Sequence, residues 1–295
     1  MAAAQTSDRA LGYVWKVAVV AVAYHVGTVV SGALMTSLGM QFPELAGHAN
    51  QYVGHLLNLI GSILLAVCLA LLARGIGGSP ATRWLILAVF AYVSYGLNNQ
   101  LEAAIFTTLG GTGTMILFFI LPCALGAAAA VLLFAAPAEA THRTVADRPL
   151  RTWWWRLVLA WLAFPVIYYF FGMLAGPFVV EAHQSGELPL VLPSQAVIIR
   201  TVLIRSLLFL VVTAPVLFAW RRSRRSLILA LGLSFFMMTG FIGLVTVPGL
   251  FPTTVRIAHS VEILFDSMVY AWVLVALLFP KEKQVQGELA SATGS

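Results

Sequence analysis

The chain has 295 residues, of which 60% are hydrophobic and only 9% charged, and its mean hydropathy is +0.93. Soluble domains carry about 25% charged residues and disordered chains are poorer in apolar ones, so both classes are excluded and an all-α, polytopic membrane helix bundle is expected. The net charge of +6 has to be read with the topology, because basic residues in short loops stay on the cytoplasmic side.

The first apolar segment, Gly12–Met35, follows Arg9 and contains Lys16 and, near its middle, His25. It is longer than a signal-peptide core and no small-x-small cleavage site precedes more hydrophobic chain, so it is expected to be retained. A loop that contains an acid and a histidine but no basic residue, Leu38–Gln51, leads to the second segment, Tyr52–Leu72, with His55 and Asn58 in its first half. Arg74 and Arg83 flank a short link to the third segment, Trp84–Phe106, whose far end reads "YGLNNQLEAAIF" and brings Tyr95, Asn98, Asn99 and Glu102. After "GGTGT" (Gly110–Thr114) the fourth segment, Met115–Phe134, is apolar throughout. Cys68 and Cys123 lie mid-segment and are expected to be packing residues rather than a disulfide.

The polar connection Ala135–Arg151 divides eight segments four and four. It suggests a first half over 1–136, a linker over 137–151, a second half over 152–280 and a disordered tail over 281–295. Two parallel four-helix repeats would follow: "WK" at Trp15–Lys16 meets "WR" at Trp155–Arg156, Gly32 and Leu34 meet Gly172 and Leu174, and "IFTT" (Ile105–Thr108) meets "LFPTT" (Leu250–Thr254). An even number of spans per half makes such a repeat parallel.

The fifth segment, Trp155–Ala175, contains "YYFF", expected to face lipid together with the "WWW" run before it. Beyond the loop Gly176–Gln195, which again lacks basic residues, the sixth segment, Ala196–Phe218, carries Arg200 and Arg205. "RRSRR" (Arg221–Arg225) precedes the seventh segment, Leu227–Val247, in which Gly240 and Gly243, with Pro248 and Pro252 just after, suggest a broken helix. The eighth segment, Ile257–Phe279, opens on "RIAHSVEILFD", so that beside Arg256 the side chains of His259, Glu262 and Asp266 fall within roughly 60° of one another on a helix; Tyr270 follows one turn later.

Fourteen of the 17 basic residues lie at alternate segment ends, which places both termini of a multi-pass plasma (inner) membrane protein in the cytoplasm. The basic balance then reflects topology and contact with anionic membrane lipids, not a nucleic-acid partner. With that orientation the histidines, acids, asparagines and arginines named within these segments fall in the outer half or at the midplane. A charge at the bilayer centre costs at least ~2.5–3.5 kcal/mol, so these groups must face the bundle interior and pair or reach water.

Three uses of the set are open. Imidazoles of His55 and His259 with carboxylates of Glu102, Glu262 or Asp266 would suit Zn or Fe with one open position. Alternatively Glu102, Glu262 and Asp266 perform metal-free acid/base chemistry on a lipid or isoprenoid, with Asn58, Asn98, Asn99, Arg205, Arg256 and Tyr270 binding the lipophilic small-molecule substrate. A small proton- or cation-coupled transporter would use an intramembrane acid and Arg205 as anion site. Beside these stands a structural subunit in which the acids merely pair with Arg205 or Arg256 and Asn98 and Asn99 join helices. The sequence has no deep lysine for a retinal Schiff base, no HExxH, GxSxG or phosphate-binding glycine loop, and no histidine on the fourth segment to face another across a haem. The expectation is an intramembrane enzyme acting on a lipophilic substrate, with the transporter as the alternative.

Overall fold

The computed structural model of the protein describes residues 2–43, 51–136, 153–184, 190–247 and 251–279, with 2–10, 51–52 and 181–183 described by backbone alone. The described residues form eight helical rods. They are α1 (Ala2–Ser37), α2 (Gln51–Ala73), α3 (Pro80–Ala91, a π-helical stretch Tyr92–Leu97, then Asn98–Phe106), and α4 (Thr112–Phe118 and Ile120–Leu133). The second four are α5 (Trp153–Gln184), α6 (Gln195–Ala219), α7 (Arg224–Phe236, a π-helical stretch Met237–Phe241, then Ile242–Thr246) and α8 (Thr253–Leu278). Seven of the eight are long and apolar enough to cross a membrane by length and composition; α3 is of similar length but divided by its π stretch. The protein is therefore a polytopic helical membrane bundle.

The segment limits read from sequence shift in places. α5 continues past Ala175 to Gln184 with Pro165 and Pro177 inside it; among apolar surroundings an ended helix would expose backbone polar groups, so prolines that stop a soluble helix are carried through. α7 does not break at its glycines. It winds into the π stretch Met237–Phe241 and resumes as α-helix over Ile242–Thr246, while Pro248 lies outside the described residues. The linker 137–151 and the tail 281–295 lie outside them too, as do residues 44–50 and 185–189 of the two loops without basic residues.

One end of the bundle is tied together by arginines. Arg83, buried at the start of α3, donates from Nη2 to Ala73 O (2.9 Å) and Phe134 O (2.6 Å), at the last turns of α2 and α4. Arg156 does the same from α5, donating to Leu277 O of α8 at 2.6 Å. A cation is well placed there, because the last carbonyls of a helix have no partner within it and carry the negative end of its dipole. The α2–α3 and α6–α7 links meet at this end, through Gly77 N–H to Ala219 O and Arg221 N–H to Gly75 O, 2.8 Å each.

Those links meet around an isolated antiparallel bridge between Ile76 and Trp220, and the offset between these two residues, 144, recurs along the chain. Gly61, Ser62, Leu65, Ala66, Cys68 and Leu69 of α2 are buried, and so are Arg205, Ser206, Phe209, Leu210, Val212 and Thr213 of α6. On α4, Cys123, Gly126, Ala127, Ala130 and Val131 are buried, as are Ser267, Tyr270, Ala271, Leu274 and Val275 of α8. Helix neighbours follow the same rule: α1 packs on α4 as α5 does on α8, α3 on α4 as α7 on α8, and α2 on α7 as α6 on α3. Even the π stretches correspond. Gly96 leaves room for Phe119 and Gly240 for Ile263, each a place where a built Cβ would overlap the facing side chain. Two four-helix bundles thus join through α2–α7 and α3–α6.

Candidate functional site

Away from the arginine-capped end, α8 presents its polar stripe inward. Glu262, Asp266 and Tyr270 are buried there. His259 Nδ1 lies 2.5 Å from Glu262 Oε2, and Asp266 accepts a hydrogen bond from Ser267 Oγ at 3.1 Å. Facing them, the turn that follows the π stretch of α3 carries Asn98, Asn99 and Glu102, and α6 supplies Arg205.

Arg205 organises this face. It is buried, donates from Nε to Asn98 Oδ1 at 2.7 Å and forms an ion pair through Nη1 with Glu102. Asn98 in turn donates to Asn99 Oδ1 at 3.1 Å, and Asn99 donates to Met238 O at 2.9 Å. Met238 belongs to the π stretch of α7, where the wider winding disturbs the helix's own hydrogen-bond ladder. The guanidinium carbon also lies 5.6 Å from the ring centres of Phe164 and Tyr168 and 5.9 Å from that of Phe209, close enough for each ring face to attract the charge. Tyr270 continues this aromatic floor, 5.0 Å from Phe164 and 6.0 Å from Phe235 between ring centres.

Exposure is graded across the cluster. The Glu102 and His259 side chains are 29% and 32% exposed, those of Arg205 and Glu262 only 5% and 7%. Two half-exposed groups at the rim thus each contact a buried group of opposite tendency, and Asp266 sits beneath, within electrostatic reach of Glu262, Arg205 and His259. Such a set can exchange protons with its surroundings and hold them where water is scarce.

Of the residues singled out from sequence, Glu102, Glu262, Asp266, Asn98, Asn99, Arg205 and His259 come together, and Tyr270 lies in the adjoining aromatic floor. Arg256 is half-buried and forms no ion pair among the described residues. Asn58 is half-buried on α2, where its carbonyl accepts from Ser62, and Arg200 is exposed on α6. His55 is exposed on α2, a helix that packs on α1, α4 and α7. Among the described residues no three or more His, Cys, Asp or Glu side chains are placed to hold a metal, so the shared Zn or Fe ligand set expected of His55 and His259 does not assemble. Tyr168 corrects another expectation. It belongs to the "YYFF" run assigned to lipid, yet its ring lies under Arg205.

The repeat offers an internal comparison. At the offset of 144, Arg205 answers to Gly61, Glu102 to Thr246, Asn98 to Ile242 and Asp266 to Pro122. There the same contact is small and closed: a Cβ on Gly61 would lie 2.9 Å from Thr246 Cγ2 and 3.2 Å from Ile242 Cγ2. Pro122 packs against Gly27, where a built Cβ would be 2.5 Å from its Cα. Since Pro122 has no N–H to offer Phe118 O, that carbonyl accepts instead from Ser31 Oγ at 2.7 Å. One bundle joint is apolar and shut, and its counterpart holds the charges.

No family model matches the chain, and neither do any curated protein or solved structure.

Proposed function

We propose that the protein is an intramembrane enzyme that performs proton-transfer chemistry on a lipophilic substrate, at a site in the extracytoplasmic half of the inner membrane. The observation that carries this reading is the unequal pair of joints. The packing that Arg205, Glu102 and Asn98 provide is met at the other joint by Gly61, Thr246 and Ile242, so the fold itself does not require charge at that position. Buried charges cost several kcal/mol each in desolvation, and replacing them by well-packed apolar groups is often neutral or stabilising. A cluster kept on one side only favours a use over a purely structural role.

In this reading His259, at the rim, exchanges protons with the surface and passes them to Glu262. Glu262 and Asp266, one helical turn apart, serve as base and acid, a division that typically contributes 10²–10⁴-fold in rate. Arg205, its plane fixed by Asn98 and Glu102, holds the anionic end of the substrate. Because the described residues assemble no donor set for a metal, no step is routed through one. Access from the apolar side fits the seam between α5 and α8. Gly172 faces Glu262, with a built Cβ 3.4 Å from Oε1, and around it Phe170, Met173, Leu174 and Phe265 are exposed. α5 is also the least enclosed helix, with 11% of its apolar window buried against 39% or more in the other six candidate spans. Protein in nanodiscs of phospholipid and polyprenyl phosphate should generate a product, seen by mass spectrometry, that Glu262→Gln does not; equal products from both would refute the reading.

The paired π stretches at matching positions, Tyr92–Leu97 and Met237–Phe241, favour a second reading, a proton- or cation-coupled transporter whose halves rock about these points. It predicts pH-driven flux in liposomes that Glu262→Gln abolishes and no chemical product.

A further inference from the structure

The arginine-capped end contains a second feature that the proton-transfer site does not use. A cavity of about 420 Å³ lies between the start of α1 and the ends of α2 and α4, lined by Tyr13, Lys16, Arg74, Phe134 and Arg222. Three cations converge on it, and among the described residues no carboxylate lines it. Among the described residues, Lys16 and Arg74 have aromatic rings as their only charge partners: Lys16 Nζ is 5.7 Å from the Phe134 ring and Arg74 Cζ 5.3 Å from that of Tyr13.

The repeat again tells the packing requirement from the rest. In the other bundle the place of Arg74 is taken by Phe218 and that of Phe134 by Leu278. Trp153 lies against Phe218 with ring centres 5.9 Å apart. Arg156, which the "WK" and "WR" pair matches to Lys16 at an offset of 140, is held by Leu277 O and by the Trp155 ring. That corner is filled with aromatic rings, and its cation is held by a helix-end carbonyl and a ring face. The first-half corner keeps an open cavity instead, and among the described residues its three cations face no carboxylate.

We infer that this cavity binds a phosphate group, either the headgroup of an anionic membrane lipid or a free phosphate. Arg74 and Arg222 offer forked N–H donors matched to phosphate oxygens, Lys16 adds a point charge, and Tyr13 and Phe134 form an apolar floor for the adjoining part of the ligand. Trp15, half exposed beside Lys16, marks the level at which headgroups lie, since tryptophan rings concentrate at membrane–water interfaces.

The test is native mass spectrometry of the full-length protein in detergent, titrated with dioleoylphosphatidylglycerol, with dioleoylphosphatidylcholine, and with inorganic phosphate. The first phosphatidylglycerol should bind at least about tenfold more tightly than phosphatidylcholine, and Arg74→Gln/Arg222→Gln should remove about that factor, as two basic groups at a membrane surface would. Arg222→Gln alone, at an exposed position, gives an intermediate loss and guards against a misfolded double variant. Displacement of the lipid by millimolar phosphate, or binding of phosphate alone with the same dependence on Arg74 and Arg222, assigns the site to the free anion and still supports it. Equal affinity for the two lipids with no phosphate binding would overturn the inference, as would an equal loss on Arg224→Gln/Arg225→Gln, which lie at the same end but outside the cavity.

Discussion

His259 Nδ1 and Glu262 Oε2 lie 2.5 Å apart on one face of α8, with the histidine about a third exposed and the glutamate almost enclosed. The pair therefore joins the rim of the cluster to its buried part. Deleting the imidazole strands Glu262. His259→Ala should lower stability by about 1–3 kcal/mol, the cost of an unmet buried polar group, whereas His259→Gln, which can still donate, should lose less. Thermal melts of the two variants in detergent check the order; equal losses would mean that the contact contributes nothing through its hydrogen bond.

Arg205 and Glu102 should show strong non-additivity. Arg205→Leu removes the cation and leaves Glu102 and Asn98 without their partner, at no more than about 3 kcal/mol because Glu102 can still reach solvent. The double change Arg205→Leu/Glu102→Leu should recover part of that loss, since apolar replacement of both partners imitates the shut joint around Gly61 and Thr246. A double-mutant cycle on chemical denaturation measures the coupling, and a double variant less stable than either single one would contradict this account of the joint.

The seam between α5 and α8 makes a prediction that separates access from stability. A methyl group at Gly172 meets Glu262 Oε1 at an ordinary contact distance, so Gly172→Ala should be tolerated. Gly172→Leu should block the carboxylate and abolish product formation with a melting temperature within a few degrees of wild type. Retained turnover in Gly172→Leu would move the route of access elsewhere.

Close helix approach in the first bundle depends on Gly27. A Cβ there would come within 2.5 Å of the Pro122 backbone, which cannot swing aside, and overpacking of this kind costs about 1–3 kcal/mol. Gly54→Ala, at a helical position with nothing within 4 Å, should be neutral or stabilising by up to about 1 kcal/mol. Parallel thermal melts of Gly27→Ala and Gly54→Ala decide the point.

Much of this architecture was legible in the sequence because lipid imposes simple rules: long apolar runs span, and buried charges need company. The stripe of His259, Glu262 and Asp266 followed from helical spacing, and its meeting with Arg205 and Glu102 followed from their common depth. What spacing could not supply was the choice of neighbours across helices. His55 has the right depth but belongs to α2, which turns toward α7, so among the described residues it joins no metal-ligand group with His259. Tyr168 looked like one aromatic among many, and only the crossing of α5 and α6 puts its ring under Arg205. The π stretches left no mark that composition could reveal: Gly96 and Gly240 read as ordinary helical glycines until Phe119 and Ile263 are seen against them. Sequence matches suggested the repeat, but its value lies in burial, because the counterpart positions share exposure rather than identity.

On the proposed function, the charged joint serves chemistry and not packing. The most direct measurement is the rate of product formation, in nanodiscs of phospholipid and polyprenyl phosphate, for wild type and Glu262→Gln, with each protein's melting temperature taken in the same nanodiscs. Expected are turnover by wild type, a loss of at least about 10²-fold in the variant, and melting temperatures within a few degrees of each other. Absence of product from wild type, with a marked fall in melting temperature for Glu262→Gln, would contradict that function and leave the cluster as a structural ion-pair network.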